Sequence, residues 1–403
     1  MAKPNADHMD AARLQAFNIL NIDPKRRVIL SLDGGGMRGI LTIQLLKKLE
    51  EVVGIPCYKL FDMVAGTSTG AIIAGLIITG HSAVDIETMY ENLVTQVFDH
   101  RFLGQRYINP PAFDKEKYRH LLKGIVKDAT LEDACKENDI DMMITAQDLS
   151  AAEETFFSCF KQNDGTWHGT YKDVLLRAVM EATMSAPTYF HPLERFVDGG
   201  TTTYNNPSLA AFIEAVSYSC AGGDKNETQY KIQEVTLMSF GTGISRQFLK
   251  PTEAMDPKGI DIKFWLNWIM TATGQDASAM QVDALRSPMI KQTIDFRRFQ
   301  ISLDPEAIKK LPNIDLLDEK KYGSKWIHDL DEKILGNIDM ADITRFDLMK
   351  VIGLQMAEYI MKENKFTDDL ADRHRDQLVT AFGDTVRIRK QMSDIEWLDN
   401  FKS

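Results

Sequence analysis

Val28-Ile-Leu-Ser-Leu-Asp33-Gly-Gly-Gly-Met-Arg38-Gly39 decides how this chain reads. An apolar strand breaks into three glycines and then into a helix, because Leu41, Leu45, Leu49 and Val52 recur at helical spacing over Ile40 to Val53. A glycine-rich turn at a helix start aims free backbone N–H groups at one point, as an anion or oxyanion requires. A second stretch answers it. Gly66-Thr-Ser68-Thr-Gly70 follows the apolar Met63-Val-Ala65 and opens the apolar helix Thr69 to Ile78. Such a strand–turn–helix holds a serine hydroxyl out into a cleft, with glycines removing the Cβ clashes of a sharp turn. One group to attack an acyl carbon and one to hold its oxyanion make a hydrolase hypothesis, and the chain must then supply a base.

Two readings compete at the first stretch. Gly34-x-Gly36-x-x-Gly39 also fits a dinucleotide fingerprint, with a strand before and a helix after. An acidic strand end about 20 residues on is missing, since Glu50 and Glu51 fall in the following helix, and there is no Lys-Ser/Thr pair for a P-loop. Arg38 adds a positive charge where an oxyanion or phosphate could dock. For the base, no histidine stands out: His328 and His374 lie in charged helical contexts, and His191 stands beside Pro192. Asp198 ends the apolar strand Arg195-Phe-Val-Asp198 ahead of Gly199 and Gly200. It reads equally well as a base, if burial lifts its pKa, and as a cap on the Gly-Gly turn.

Outward from these stretches, apolar strands alternate with helices over residues 27–243, which argues for an α/β sandwich with a largely parallel sheet. Helices are expected at Ala11 to Leu20, Ile86 to Val97, Tyr118 to Lys127, Tyr171 to Thr183 and from Pro207 to about Ser219. Strands are expected at Asp141 to Thr145, Thr155 to Phe160 and Val235 to Phe240. From Ile244 the chain turns mainly helical and ends in a charged tail. Phe98 to Phe113, with Arg101, Arg106 and two prolines, reads as a surface loop rather than a lid. Phe264, Trp265, Leu266, Trp268, Ile269 and Met270 form an aromatic run that suits a helix over the sheet better than an interfacial anchor.

The net charge of -11 argues against broad nucleic-acid binding and a strongly basic membrane-facing surface, leaving room for a local basic patch. Cys57, Cys135, Cys159 and Cys220 show no metal spacing and read as buried free thiols in a reducing compartment. The first 27 residues carry no apolar signal core, and the longest apolar run, Ala71 to Ile78, is too short to span a bilayer, so a cytoplasmic protein is expected.

Asp33-Gly-Gly-Gly-Met-Arg-Gly39, Gly66-Thr-Ser-Thr-Gly70 and Asp198-Gly-Gly200 resemble, in order, the three signature blocks of the patatin-like phospholipase family. Ser185-Ala-Pro-Thr-Tyr-Phe190, Asn205-Asn206-Pro207 and Ser239-Phe-Gly-Thr-Gly243 support the likeness. It is strong over residues 27–245 and weaker through Asp295-Phe-Arg-Arg-Phe-Gln300. The resemblance implies a three-layer sandwich: a helical leader over 1–26, a catalytic domain over 27–300, and a mainly helical portion over 301–403. It implies a dyad of Ser68 as nucleophile and Asp198 as base, without histidine. The oxyanion hole would come from Gly34, Gly35 and Gly36, supported by Arg38, with Asp33, Gly39, Gly66, Gly70, Gly199 and Gly200 as motif positions. It implies hydrolysis of phospholipid acyl esters through an acyl-enzyme, with no cofactor and no metal, and transient peripheral contact with the inner face of the membrane. Bacterial members include cyclic-nucleotide-activated phospholipases of antiphage defence, so such an activator and a homo-oligomer belong to the expectation. A neutral-lipid esterase and a silent lipid-binding scaffold are the alternatives.

Overall fold

The computed structural model describes residues 10–98, 113, 115–218, 230–244, 262–303, 305–312, 335, 338 and 340–370, with the side chains of 218, 262–272, 305 and 306 left aside. Through the first half of the chain, helices and strands run α1 (Ala11–Ile19), β1 (Arg27–Leu32), α2 (Gly39–Val53), α3 (Cys57–Leu60), β2 (Met63–Thr67), α4 (Thr69–Ile78), α5 (Ala83–Phe98), α6 (Lys115–Val126), α7 (Leu131–Asn138), β3 (Asp141–Asp148) and β4 (Glu153–Lys161). They continue with β5 (Trp167–His168), α8 (Leu176–Thr183), β6 (Phe196–Asp198), α9 (Ser208–Ile213), β7 (Val235–Phe240), α10 (Ile262–Leu285), α11 (Pro288–Lys291), β8 (Asp295–Phe299), α12 (Pro305–Lys309) and α13 (Phe346–Glu363).

The strands form one sheet in the order β5-β4-β3-β2-β1-β7-β8, with β6 paired to β3 off that path. β3, β2, β1, β7 and β8 are parallel, and β4, β5 and β6 are antiparallel to their neighbours. Apolar runs such as Val28-Ile-Leu30 and Met63-Val-Ala65 follow from burial on both faces. Leu30, Leu32, Met238 and Phe240 face one core with α2, α4, α5, α8 and α13; Ile29, Ala65 and Leu237 face the other with α9 and the end of α10. The expected three-layer α/β sandwich with a largely parallel sheet is what the chain adopts.

β6 decides the site. β2 runs up β3 to the pair Thr67↔Thr145, and β6 comes down the same side of β3 from Phe196↔Asp148 to Asp198↔Ala146. The two strands therefore end on adjacent rungs of β3. The residue after Thr67 is Ser68.

Several expectations are corrected. Tyr171 to Thr183 is helical only from Leu176, because Tyr171 takes φ +64° and Thr130 bridges Leu175, tying the stretch to the loop before α7. The helix after Pro207 stops being α-helical at Ile213 and widens into a π-turn over Glu214–Tyr218. The loop over 99–112, Cys220 and the charged tail beyond 370 lie outside the described residues. So do the side chains of the aromatic run, whose backbone is part of α10. Cys57, Cys135 and Cys159 are buried and free.

Candidate active site

Ser68 occupies a strained turn, with φ +52° and ψ −123° between β2 and α4. A non-glycine residue pays for that conformation, and such strain concentrates where a side chain must be held in a fixed direction. The turn closes on backbone: a Cβ at Gly66 would come 2.6 Å from the Ala71 nitrogen and from the Gly70 carbonyl group. The Ser68 N–H donates to Thr183 Oγ1 at 2.8 Å. Below it, Thr67 Oγ1 donates to the Tyr204 carbonyl at 2.8 Å and lies 2.6 Å from Thr145 Oγ1. Ser68 also stands at the N-terminus of α4, which is buried throughout, so the positive helix end faces any charge forming at its hydroxyl.

Ser68 Oγ donates to Asp198 Oδ2 at 2.7 Å and lies 3.6 Å from Met184 Sδ. The other carboxylate oxygen, Oδ1, accepts from the Gly200 N–H at 2.6 Å, and the Asp198 N–H donates to the Ser185 carbonyl at 3.1 Å. One oxygen of Asp198 thus caps the Gly-Gly turn, as one earlier reading expected, and the other accepts the hydrogen bond from the serine hydroxyl. Burial pushes its pKa up to about 6, against the hydrogen bonds from Ser68 and Gly200 that favour the anion. A carboxylate so placed can accept a proton near neutral pH. Among the described residues no histidine bonds Ser68 Oγ, and His191 is exposed.

The glycine loop lies alongside. A Cβ at Gly34 would fall 3.2 Å from Ser68 Cβ. The Gly34 N–H donates to the Asn205 carbonyl at 3.1 Å, so that amide is already engaged. The amides of Gly35 and Gly36 make no hydrogen bond among the described residues. Arg38 Nε donates to the Gly35 carbonyl at 3.4 Å, folding the guanidinium back on the loop. Gly36 needs its missing side chain twice over: φ is +57°, and a Cβ would strike the Met340 carbonyl at 2.4 Å. Gly39, Gly70 and Gly199 likewise sit against Tyr90, the Leu32 carbonyl and Thr145.

Anchors the sequence did not announce hold this loop. Thr242 Oγ1 donates to the Gly34 carbonyl at 2.8 Å, Tyr90 OH to the Gly36 carbonyl at 2.5 Å, and the Met37 N–H to the Met340 carbonyl at 2.8 Å. Asp33 is gripped by Arg298 from β8. The one sequence signal for that grip was two arginines inside an apolar strand, where a buried charge must find a partner. Thr183, Tyr90 and Met340 gave none.

Ser68 is 7% exposed and Asp198 is 4% exposed. Lys115, Tyr118, Glu181, Met184 and Phe190 line a void of about 10 Å³, and Met184 also lies against Ser68 Oγ. No cluster of His, Cys, Asp and Glu suited to a metal occurs among the described residues.

Residues 30–212 match the sequence model of the family described as Patatin-like phospholipase. The mouse 85/88 kDa calcium-independent phospholipase A2 is 31% identical over 252 residues, 59% of this chain and 30% of the relative. An Escherichia coli cUMP-AMP-activated phospholipase is 31% identical over 199 residues, 46% of this chain and 58% of the relative. A Vibrio cholerae cGAMP-activated phospholipase is 29% identical over 255 residues, 57% of this chain and 68% of the relative. The chain thus spans under a third of the length of the mouse relative.

Proposed function

We propose that this chain, which carries a patatin-like phospholipase domain over residues 30–212, is a lipid acyl hydrolase that cleaves carboxylic esters of membrane phospholipids with Ser68 as nucleophile and Asp198 as general base. The observation that carries the reading is the 2.7 Å hydrogen bond from Ser68 Oγ to a buried carboxylate, beside two unengaged loop amides.

Each step uses groups already in place. Asp198 takes the Ser68 proton as Oγ attacks the ester carbonyl, and the charge moves onto the carbonyl oxygen. The Gly35 and Gly36 amides and the N-terminus of α4 stabilise that oxyanion without reorganising, which is where such sites gain most of their rate. Protonated Asp198 then returns the proton to the departing alcohol, leaving an acyl-Ser68. Water then attacks the acyl carbon as Asp198 takes its proton, and Asp198 passes that proton to Ser68 Oγ as the acyl–serine bond breaks and the fatty acid leaves. The raised pKa serves both directions, because a carboxyl near 6 gives and takes a proton at little cost close to neutral pH.

The burial of the dyad supports a second element of the proposal. With Ser68 7% and Asp198 4% exposed, an ester carbonyl reaches the hydroxyl once Met184, 3.6 Å from Ser68 Oγ, moves aside. A ligand that binds the open form better would switch the enzyme on. The cyclic-nucleotide-activated bacterial relatives make cyclic nucleotides the first activators to try, with the inner leaflet of the membrane as target and antiviral defence as setting. Contact with lipid would be peripheral and transient; no helix among the described residues is long and apolar enough to cross a membrane. Homo-oligomerisation on activation belongs to the same proposal.

The test is fatty-acid release from mixed phospholipid vesicles by wild type, Ser68→Ala and Asp198→Asn, with and without cGAMP and cUMP-AMP. Release by wild type alone, enhanced by one nucleotide, supports the reading. Release that survives in Ser68→Ala refutes the dyad, and a wild type active on triacylglycerol emulsions but inert on phospholipid vesicles moves the substrate to neutral lipid.

A further inference from the structure

β8 carries two buried arginines side by side, and the structure accounts for them differently. Arg297 donates to the carbonyls of Leu20, Asn21 and Phe366 and pairs with Asp295, tying distant chain segments to the sheet edge. Arg298, 2% exposed, turns inward across β7. Its Nη1 donates to Ser239 Oγ at 2.6 Å and to Asp33 Oδ1 at 2.7 Å, and its Nη2 takes the second Asp33 oxygen. Ser239 and Ser31 stand opposite each other on β7 and β1, and their small side chains leave the guanidinium room to reach Asp33.

Asp33 is the residue from which the glycine loop springs. Its N–H donates to the Phe240 carbonyl at 3.1 Å, its carbonyl lies against Gly70, and its side chain is held at both oxygens by one planar fork. A bidentate guanidinium fixes direction as well as distance, which an ammonium does not. The two unengaged amides, Gly35 and Gly36, follow two and three residues later. Arg298 is itself braced from behind. Its N–H donates to Asp369 Oδ1 at 3.1 Å, and Arg286 at the end of α10 holds Asp369 at 2.7 and 2.9 Å.

We propose that Arg298 is a positioning residue for the oxyanion site: through Asp33 it sets the direction of the Gly35 and Gly36 amides, so β8 and the segment at Asp369 complete a site whose family-matching stretch ends at residue 212. The inference rests on the hydrolase reading above. It differs from a purely structural pair in what it predicts, because a displaced oxyanion donor weakens the transition state and leaves substrate binding alone.

Removing Arg298 outright would strand the Asp33 charge in the core and threaten folding. Two milder changes avoid that: Arg298→Lys, which keeps the charge and loses the fork, and Asp33→Asn combined with Arg298→Gln, a neutral pair of similar shape. Each would be assayed for kcat and KM on phospholipid, and for the second-order rate at which Ser68 is labelled by an alkyl fluorophosphonate, alongside circular dichroism and Tm. The expected result is folded protein with kcat and labelling rate lowered about 10- to 100-fold, as about 1 Å of misplacement costs, and with KM and the pH midpoint unchanged. Folded variants with wild-type kcat and labelling, or a loss confined to KM, would overturn the inference. Labelling that slows in the variants while wild type hydrolyses no lipid would uphold Arg298 and sink the substrate reading. A wild-type Ser68 inert to fluorophosphonate would sink both.

Discussion

The serine turn and the glycine loop meet at one edge of the sheet, within a Cβ contact of each other, and they are held by opposite means. The serine turn closes mainly on its own backbone, since β2 delivers it, Gly66 lets it pack on Gly70 and Ala71, and α4 continues it, with Thr183 as its one side-chain anchor at the Ser68 amide. Its shape is local. The glycine loop is held from outside, by Thr242, Asn205, Tyr90, Met340 and, through Asp33, Arg298. A turn built from covalent neighbours is rigid wherever the fold places it. A loop held by distant side chains is only as precise as the tertiary packing.

The largest effect that would sharpen this contrast is at the dyad. Ser68→Ala and Asp198→Asn should each lower kcat by about 10⁴-fold or more while leaving the circular dichroism spectrum intact, as for members of other hydrolase dyads and triads. Fatty-acid release by either folded variant at a rate near wild type would break the proposal.

A stability effect should come next, and at the serine turn alone. Gly66→Ala forces a Cβ into backbone atoms 2.6 Å away that cannot step aside. The loss should reach the upper end of the roughly 0.5–3 kcal/mol usual for single substitutions, read as a fall in Tm. A Tm equal to wild type would show that the turn is looser than its geometry.

The pH profile tests the base. With Asp198 titrating at about 6, kcat/KM should fall tenfold per pH unit below that value and level off above it. Stability runs the other way. The folded pKa lies above the ordinary 3.8, so the contribution of Asp198 to stability is full below that ordinary value and is lost as pH rises through about 6. Asp198→Asn lacks this loss. It should therefore melt above wild type at pH 8 with the advantage shrinking toward pH 4, and an advantage independent of pH would place the raised pKa elsewhere.

The smallest effect belongs to a single anchor of the loop. Thr242→Val removes the hydrogen bond to the Gly34 carbonyl and should cost about 1 kcal/mol, seen as a several-fold drop in kcat with KM held. An equal drop in the Ser68→Ala background's residual activity would mean that the loop acts independently of the nucleophile.

Ser68 and the glycine loop were legible because their signal is local: a strand, glycines at fixed offsets and a helix with its apolar period leave one arrangement open to the backbone. The same logic gave the parallel sheet. It failed at Tyr171 to Leu175, where helical spacing lost to pairing with Thr130, and over Glu214–Tyr218, where the helix widens. Asp198 was legible as a residue ending a strand, and its local sequence left base and cap level until the family resemblance favoured the base. Residues 68 and 198 meet because β2 ascends and β6 descends the same side of β3, ending on the neighbouring rungs Thr145 and Ala146. Nothing within five residues of either one encodes that pairing. What the sequence determined by itself was each half of the site, since local backbone chemistry does not depend on distant partners. What the tertiary structure alone decided was the meeting of Ser68 with Asp198, the pKa that burial there imposes, and the reach of Arg298 from β8 to Asp33, because register, desolvation and a buried ion pair exist only once the strands have assembled.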